Sequence, residues 1–228
     1  MEGSFPLKLV KGYPAAVYRK TLIVADLHIG IEREFWRKGI RVSGLSRKTG
    51  ELLEEVLDIT KPKCTIVAGD LKHNIPDFTQ REAEEVKRVT EFLASQGELL
   101  IIKGNHDGDL EKIIPWAHIA PGSGIKERDI YILHGHANPS MEIYEAKAAV
   151  MGHLHPAITL KHRFGVVKKK VFLTAEWQGI PVVVLPAFSP LIDGMDVTQA
   201  ENLIGPVAKQ FERADAYLMD GTYVRRVL

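Results

Sequence analysis

Apolar and polar positions follow a repeating block pattern in the first part of the chain. Four short apolar runs rich in β-forming residues, at 22–25, 65–68, 99–102 and 130–133, each lead into a polar segment. Continuous apolar runs of this length are typical of strands that are buried on both faces in a layered α/β core. The pattern therefore predicts four central strands, each with polar residues beyond its carboxyl end.

Helical patterns lie between these runs. Residues 46–59 carry apolar positions at helical spacing, as do residues 79–96. The second pattern begins with a capping box, in which the side chains of Thr79 and Glu82 satisfy free amides reciprocally. The alternation of strands and helices through Leu133 predicts crossover units in a largely parallel sheet.

The chain changes character after His155. Short β-rich runs separated by glycine turns predict a second, mostly antiparallel sheet that packs on the first. Open α/β sheets carry their ligands beyond the carboxyl ends of the strands, where the polar segments of this chain lie. We therefore expect an α/β fold with two sheets, formed by residues 1–228 as one domain.

Composition and charge argue against a highly basic nucleic-acid-binding protein, a disulfide-bonded secreted protein and a membrane-spanning protein. The chain is 45% hydrophobic and 26% charged, which is ordinary for a globular protein, and its net charge of +1 gives no overall attraction to nucleic acid. Its single cysteine, Cys64, cannot form an internal disulfide, which favours a cytoplasmic location. The apolar stretch 180–188 is too short to span a bilayer, so we expect no membrane association.

Five short polar segments carry the candidate chemistry. They are Asp26-Leu27-His28, Gly69-Asp70, Gly104-Asn105-His106-Asp107, His134-Gly135-His136 and Gly152-His153-Leu154-His155. In a chain of this composition Gly-Asp is expected by chance about 0.9 times, but Gly-Asn-His-Asp only about 0.0006 times. The ordered set is therefore specific, although some of its members are weak alone.

These segments supply enough donors for two adjacent divalent metal ions. Mixed carboxylate, amide and imidazole donors suit Mn, Fe, Co, Ni or Zn, whereas an all-oxygen set would suggest Mg or Ca. We expect Mn²⁺, with Fe, Co, Ni and Zn as alternatives. Two metals about 3.5–4 Å apart recur in phosphate ester hydrolysis, because metal binding lowers the pKa of water to about 7. Asp70 follows the strand next to that of Asp26, where its two oxygens can bridge both ions.

The five segments resemble the motifs of the calcineurin-like metallophosphoesterase superfamily. The resemblance implies a four-layer α/β/β/α sandwich with two mixed β-sheets. It also implies two metal-binding sets that share one carboxylate: Asp26, His28, Asp70 and His155 for one ion, and Asp70, Asn105, His134 and His153 for the other. By the same resemblance His106 is the acid for the leaving oxygen, and Asp107 orients the ring of His106.

Two further histidines have open roles. His73 is either a plain loop residue or a residue that contacts the substrate phosphate or supports a metal-binding side chain. Either His134 or His136 could be the metal ligand, and we choose His134 because it lies immediately at the end of its strand. The segment from Gly69 to His73 resembles the SbcD-type repair nucleases and their small relatives of the PdeM type.

We therefore expect a dimetal phosphodiesterase, acting as a nuclease or nucleotide phosphodiesterase through a metal-activated hydroxide with His106 as general acid. The alternatives are a phosphomonoesterase for small metabolites and a non-catalytic scaffold on the same fold. The expected partners are a phosphoester such as DNA or a nucleotide, and a second copy of the chain in a homodimer. Basic stretches at 33–48 and 161–170 could contact a phosphate backbone, although solvated surface is the better interpretation of residues 168–170.

Overall fold

Two β-sheets pack face to face at the centre of the protein. The computed structural model describes residues 6–40, 45–75, 78–163 and 165–228, so residues 41–44 of the first basic stretch lie outside the described part. The strands described in the first sheet are, in the order in which they pair, β1 (Lys8–Leu9), β2 (Ala15–Tyr18), β3 (Thr21–Val24), β4 (Cys64–Ala68), β5 (Glu98–Ile102) and β6 (His118–Ala120).

The second sheet is built from the remainder of the chain. Its described strands are, in sequence, β7 (Ile125–Glu127), β8 (Ile130–Leu133), β9 (Ala148–Met151), β10 (Pro156–His162), β11 (Gly165–Trp177), β12 (Ile180–Val184), β13 (Met195–Asp196), β14 (Arg213–Leu218) and β15 (Tyr223–Arg226). They pair in the order β13-β10-β11-β12-β9-β8-β7, and β14 pairs with both β11 and β15.

Helices cover the outer faces of the sheets. The α-helices are α1 (Glu32–Arg37), α2 (Leu45–Thr60), α3 (Gln80–Ser95) and α4 (Leu110–Ile113). Short 3₁₀ helices span Met141–Glu145, Ala200–Asn202 and Ala208–Gln210. Within the described ranges, no helix is both long and apolar enough to cross a membrane.

Both sheets are mixed, which confirms the expected fold class. Strands β3 to β6 run parallel to one another, whereas β1, β2 and β3 are antiparallel. The prediction that Ile130–Leu133 continues the first sheet is wrong, because β8 pairs with β7 and β9 of the second sheet. A strand buried on both faces has the same apolar pattern in either sheet, so the sequence does not distinguish the two.

Apolar side chains form three layers of core, and side-chain alternation assigns each strand residue to one of them. Ile130 and Ile132 of β8 pack between the two sheets, whereas Tyr131 and Leu133 face the outer side of the second sheet. Helices α2, α3 and α4 cover the outer side of the first sheet. On the second sheet the outer layer includes Ile143 from a 3₁₀ helix. This gives the four-layer arrangement, with 3₁₀ helices in one outer layer.

The start of α3 differs from a reciprocal capping box. Thr79 Oγ1 accepts a hydrogen bond from the backbone N–H of Glu82 at 3.2 Å, as expected for a cap. The buried carboxylate of Glu82 instead accepts bonds from the backbone N–H groups of His73 and Asn74, at 3.1 and 2.9 Å. Helix α3 is thereby joined to the loop that follows β4.

Candidate metal centre

The five polar segments meet beyond the carboxyl ends of five strands. Each segment follows the end of its strand: Asp26 follows β3, Asp70 follows β4, Asn105 follows β5, His134 follows β8 and His153 follows β9. Parallel neighbours end at the same edge of a sheet, and this edge is where open α/β sheets bind ligands. The predicted ligands therefore come from both sheets.

Several of these residues have an unusual backbone conformation. The φ angles of five predicted ligands lie in the left-handed region, namely those of Asp26, His28, Asp70, His153 and His155. Side chains other than glycine rarely adopt this conformation, and it persists where the surrounding structure enforces it. Backbone hydrogen bonds provide that enforcement, since Asp26 N donates to Gly69 O at 3.0 Å and His28 N donates to Asp70 O at 2.9 Å.

Two glycines make room for the ligand side chains. A Cβ atom added to Gly69 would lie 2.3 Å from the ring of His134, and one added to Gly104 would lie 2.1 Å from Asp70 Oδ1. Both distances are shorter than atomic contact allows. The glycines of these motifs are therefore required by close approach to the candidate ligands.

The first cluster contains Asp26, His28, Asp70 and His155. Their ligand atoms all lie within 4.8 Å of one another. His155 Nε2 is 3.3 Å from Asp26 Oδ1 and 3.3 Å from His28 Nε2, and His28 Nε2 is 3.6 Å from Asp70 Oδ2. Two oxygens and two ring nitrogens that converge in this way fit a divalent ion.

The second cluster contains Asp70, His134 and His153, whose ligand atoms also lie within 4.8 Å of one another. His134 Nε2 is 3.3 Å from Asp70 Oδ2 and 3.2 Å from the amide oxygen of Asn105. His134 Nδ1 lies 3.0 Å from the carbonyl oxygen of Ala68 and donates to it, which directs Nε2 toward the cluster. Asp70 is common to both clusters.

Charges within the second cluster favour an ion pair. Burial opposes a charge on His134, but the hydrogen bond to Asp70 and the charges of Asp70 and Asp26 outweigh it and raise the pKa of His134 to about 9. Burial would raise the pKa of Asp70, yet its hydrogen bond to His134 and the charge of that ring hold it well below its ordinary range. In the absence of a metal ion, His134 therefore carries a proton at neutral pH.

Two other histidines are held neutral. Burial lowers the pKa of His28 to about 3. Burial and the charge of His134 lower the pKa of His153 to about 4. Burial alone would raise the pKa of Asp26, but the neighbouring His155 outweighs it and lowers that pKa. Neutral imidazole and ionised carboxylate are the forms that bind metal ions, so these groups are ready for that role.

His106 and Asp107 lie beside the clusters but do not interact as expected. His106 Nδ1 contacts the carbonyl oxygen of His73, and the side chain is partly exposed. The carboxylate of Asp107 accepts hydrogen bonds from the backbone N–H groups of Lys72 and Gly104, at 3.1 and 2.8 Å. No hydrogen bond joins the Asp107 carboxylate to the His106 ring among the described residues, so a role of Asp107 in orienting that ring stays a prediction.

Asp107 instead joins the loops that follow β4 and β5. Burial and the charge of Asp70 raise the pKa of Asp107 to about 6, although two backbone N–H groups favour its ionised form. Its two hydrogen bonds join the backbone of the loop after β4 to that of the loop after β5. The carboxylate therefore supports the positions of Asp70 and Asn105 through the backbone.

His73 contacts a predicted ligand directly. Its Nδ1 lies 3.2 Å from His28 Nδ1, and its Nε2 lies 3.0 Å from Glu34 Oε2. With His28 Nε2 turned toward the first cluster, His28 Nδ1–H donates to His73, and His73 Nε2–H donates to Glu34. These bonds fix the tautomer of His28. Sequence reasoning missed Glu34, and nothing in the motif pattern marks this helical carboxylate.

His136 is placed differently from His134. Its ring centroid is 5.2 Å from that of His134 and 6.1 Å from that of His153. Its nitrogen atoms belong to neither cluster, and Nδ1 is buried without a hydrogen-bond partner in the described structure. The geometry favours His134 as the ligand and places His136 next to the second cluster.

Lys170 was also missed as a structural residue of this region. Lys168 and Lys169 are exposed, in agreement with the sequence interpretation. The ammonium of Lys170 instead donates to the carbonyl oxygens of Ala187 and Ser189, at 2.7 and 2.5 Å, and burial lowers its pKa to about 8. The interpretation of Lys170 as solvated surface is wrong.

Comparison with known proteins identifies the family of the chain. The family model for the calcineurin-like phosphoesterase matches residues 19–218. The chain belongs to this family. Membership in the calcineurin-like phosphoesterase family implies hydrolase activity, and the Asp/His clusters form a candidate site for two divalent metal ions. No curated protein matches the chain.

Two solved structures are similar to the chain, and the first of them supports the fold. The chain is similar to the nuclease MPE of Pseudomonas putida, with a TM-score of 0.64, 20% sequence identity and coverage of 94% of this chain and 97% of that one. It is also similar to the phosphoesterase YfcE of E. coli, with a TM-score of 0.45, 14% identity and coverage of 90% and 97%. At 20% identity the likeness to the nuclease MPE shows the fold alone.

Proposed function

We propose that this protein is a dimetal phosphodiesterase that acts on nucleic acid or nucleotides, with Mn²⁺ as the expected ion. The observation that carries the proposal is the pair of Asp/His clusters that share Asp70. When bound, divalent ions would polarise a phosphate oxygen and lower the pKa of water. Fe, Co, Ni and Zn suit the same donors and are the alternatives.

The residues of each cluster have distinct roles in this proposal. Asp26, His28, Asp70 and His155 hold one ion, and Asp70, Asn105, His134 and His153 hold the other. The amide of Asn105 adds an oxygen without adding negative charge, which favours the approach of an anionic phosphate. The backbone links of Asp107 keep two of these loops in place.

His106 is the proposed general acid. Its backbone N–H donates to Asp70 Oδ1 at 2.9 Å, and its ring Nδ1 is engaged by the carbonyl oxygen of His73. These contacts leave Nε2 next to the clusters, 4.0 Å from Asp70 Oδ2. In the protonated ring, Nε2–H can be donated to the leaving oxygen of the ester.

Nuclease activity is favoured by the fold of one similar protein and by one sequence motif. The Pseudomonas putida protein of similar fold is a nuclease, and the segment from Gly69 to His73 resembles the SbcD-type nucleases. Both observations support nucleic acid or nucleotides over small metabolites as the substrate class. Preference for nucleoside monophosphates over diesters would instead identify a phosphomonoesterase.

Hydrolysis of bis(p-nitrophenyl) phosphate by the Mn²⁺-loaded protein tests the activity itself. We expect turnover that requires added metal and is abolished by Asp70→Asn, which removes the shared carboxylate. Elemental analysis of the loaded protein should give about two ions per chain, as dimetal sites require. Absence of metal-dependent activity on any phosphoester, with well under one ion per chain, would indicate a non-catalytic scaffold.

Substitution of His106 tests its role. We expect His106→Ala to slow cleavage of a dinucleotide by roughly 10²–10⁴-fold, the usual range for general acid catalysis. The loss on bis(p-nitrophenyl) phosphate should be much smaller, because nitrophenolate leaves without a proton. His118→Ala, at the opposite end of the first sheet, is the matched control. Equal losses on both substrates would assign His106 another role.

A further inference from the structure

The hairpin of β10 and β11 forms an exposed arm. The two strands pair without a break from Ala157 opposite Lys170 to His162 opposite Gly165. In its outer part Leu160, Val166 and Val167 are 40%, 63% and 37% exposed, so this part of the ribbon buries little against the rest of the chain. We define the arm as residues 157–170.

The arm is strongly basic in a nearly neutral protein. Residues 157–170 contain five lysines or arginines and no acidic residue, whereas the whole chain has a net charge of only +1. Lys170 interacts electrostatically with Asp193 and Asp26, and Asp196, which pairs with Ala157 of the arm, is engaged by Thr198. A local positive potential of this kind attracts a polyanion.

The lysines of the arm are divided between its two faces. Side chains alternate along a strand, and cross-strand partners share a face. Lys161 pairs with Val166, and Lys168 lies two residues further along β11, so both lysines lie on one face together with Lys170. Lys169, opposite Ile158, lies on the other face.

On the face that carries Lys161, the side chains of Lys168 and Lys170 contact loops that are hydrogen-bonded to candidate metal ligands. The ammonium of Lys168 donates to Gly194 O at 3.2 Å, and the next residue, Met195, donates its N–H to His155 O at 2.8 Å. Lys170 is bonded to Ser189 O, and Ser189 N donates to Asp26 O at 3.1 Å. A polyanion on this face would therefore run toward the candidate ligands.

We propose that the arm binds duplex DNA, with the phosphate backbone lying along the face of Lys161 and Lys168. Single-strand binding typically combines basic groups with aromatic side chains that stack on bases. The sequence of the arm has one aromatic residue, Phe164, against five basic residues, which favours contact with phosphates over stacking on successive bases. This inference rests on the proposed function, because it supplies the partner of the same catalytic centre.

Fluorescence anisotropy with a labelled 20-base-pair duplex, in buffer with EDTA, tests the arm without catalysis. Each lost phosphate contact lowers the slope of log K against log salt by about 0.9, which corresponds to roughly 5–10-fold in affinity at 0.1 M salt. We expect this loss for Lys161→Ala and for Lys168→Ala. Lys169→Ala removes the same charge from the opposite face and should leave the salt slope unchanged.

Three outcomes would overturn the inference. Equal losses for Lys168→Ala and Lys169→Ala would show a nonspecific charge effect, and tighter binding of a single strand than of the duplex would contradict the proposed partner. A change from dimer to monomer in Val167→Asp, with intact DNA affinity in Lys161→Ala and Lys168→Ala, would identify a self-association surface. Failure of the wild type to hydrolyse bis(p-nitrophenyl) phosphate would count against the proposed function, while the EDTA measurements still decide the arm.

Discussion

At the residue scale, contacts just outside the clusters set the chemistry of the candidate ligands. Ala68 O accepts a hydrogen bond from Nδ1–H of His134, and His73 contacts Nδ1 of His28. In both cases Nε2 is the nitrogen that faces the cluster. Fixed tautomers of this kind make imidazole a better and more selective ligand.

The pKa of His134 gives a prediction about metal binding. Its pKa of about 9 lies above its ordinary value of 6.5, so the ring is protonated at pH 7 and must lose that proton to bind a metal. We expect the apparent affinity of the second cluster to rise by about tenfold per pH unit up to pH 9. Calorimetry in buffers of different ionisation enthalpy should show one released proton that His134→Asn no longer releases.

A metal affinity that does not change between pH 7 and pH 9 would contradict this prediction.

The raised pKa of His134 also affects the free energy of unfolding in the absence of added metal. A folded-state pKa above the unfolded value stabilises the fold fully below pH 6.5, and this contribution is lost as the pH rises through 9. Denaturant titrations at pH 7 and pH 10 should show that decrease.

The residue scale also shows what the sequence can and cannot predict. The motif places Asp26, Asp70 and His134 correctly at strand ends, because the end of an apolar run is visible in the sequence. It does not predict the contacts of Asp107, since adjacent residues in a tight loop point in different directions. The role of Lys170 was missed because exposure of a lysine depends on the loop packed over it.

At the element scale, α3 and the loop after β4 behave as one unit. The cap residue Thr79 holds the first turn of the helix, whereas Glu82 in the same turn holds the loop that carries His73. Thr79 thus stabilises only the start of the helix, whereas Glu82 also supports the loop beside the candidate ligands. The matched variants at these positions are therefore informative.

Substitution of Thr79 and Glu82 should give different outcomes. Thr79→Ala should lower the free energy of unfolding by about 1 kcal/mol, the usual value of a helix cap, with little change in activity. Glu82→Ala removes the carboxylate acceptor of the Asn74 N–H and one of the two acceptors of the His73 N–H, which keeps Ile29 O; it should cost about 1–3 kcal/mol and reduce turnover as well. Urea unfolding together with bis(p-nitrophenyl) phosphate assays would measure both effects.

Equal effects of the two variants on turnover would show that α3 does not position the loop beside the candidate ligands.

The elements themselves were largely predictable, since helices α2 and α3 and strands β3, β4, β5 and β8 coincide closely with the sequence patterns. The sheet to which β8 belongs was not predictable. That assignment depends on pairing with β9, which is a property of long-range contacts.

At the scale of the whole molecule, the two sheets divide the candidate ligands between them. Asp26, Asp70 and Asn105 follow strands of the first sheet, and His134 and His153 follow strands of the second. Ions that contact both groups would join the two sheets at their common edge. Ligand binding to the folded state alone stabilises it by mass action.

Metal binding should therefore raise the thermal stability of the protein. At a free metal concentration of 100 Kd the gain is about 2.7 kcal/mol, or roughly 5–10 °C in Tm for a chain of this size. Differential scanning fluorimetry with and without Mn²⁺ would measure it, and Asp70→Asn should lose most of the shift. An unchanged Tm at Mn²⁺ concentrations that saturate catalysis would contradict binding across both sheets.

The apolar interface between the sheets has a consequence for catalysis. Phe172 and Ile66, from opposite sheets, pack in the core layer between them. Any change in this packing that shifts one sheet against the other alters the spacing between the two halves of the ligand set. The distances between the candidate ligands thus depend on apolar contacts far from the metal clusters. A substitution in this core layer could therefore lower activity although every ligand residue is still present.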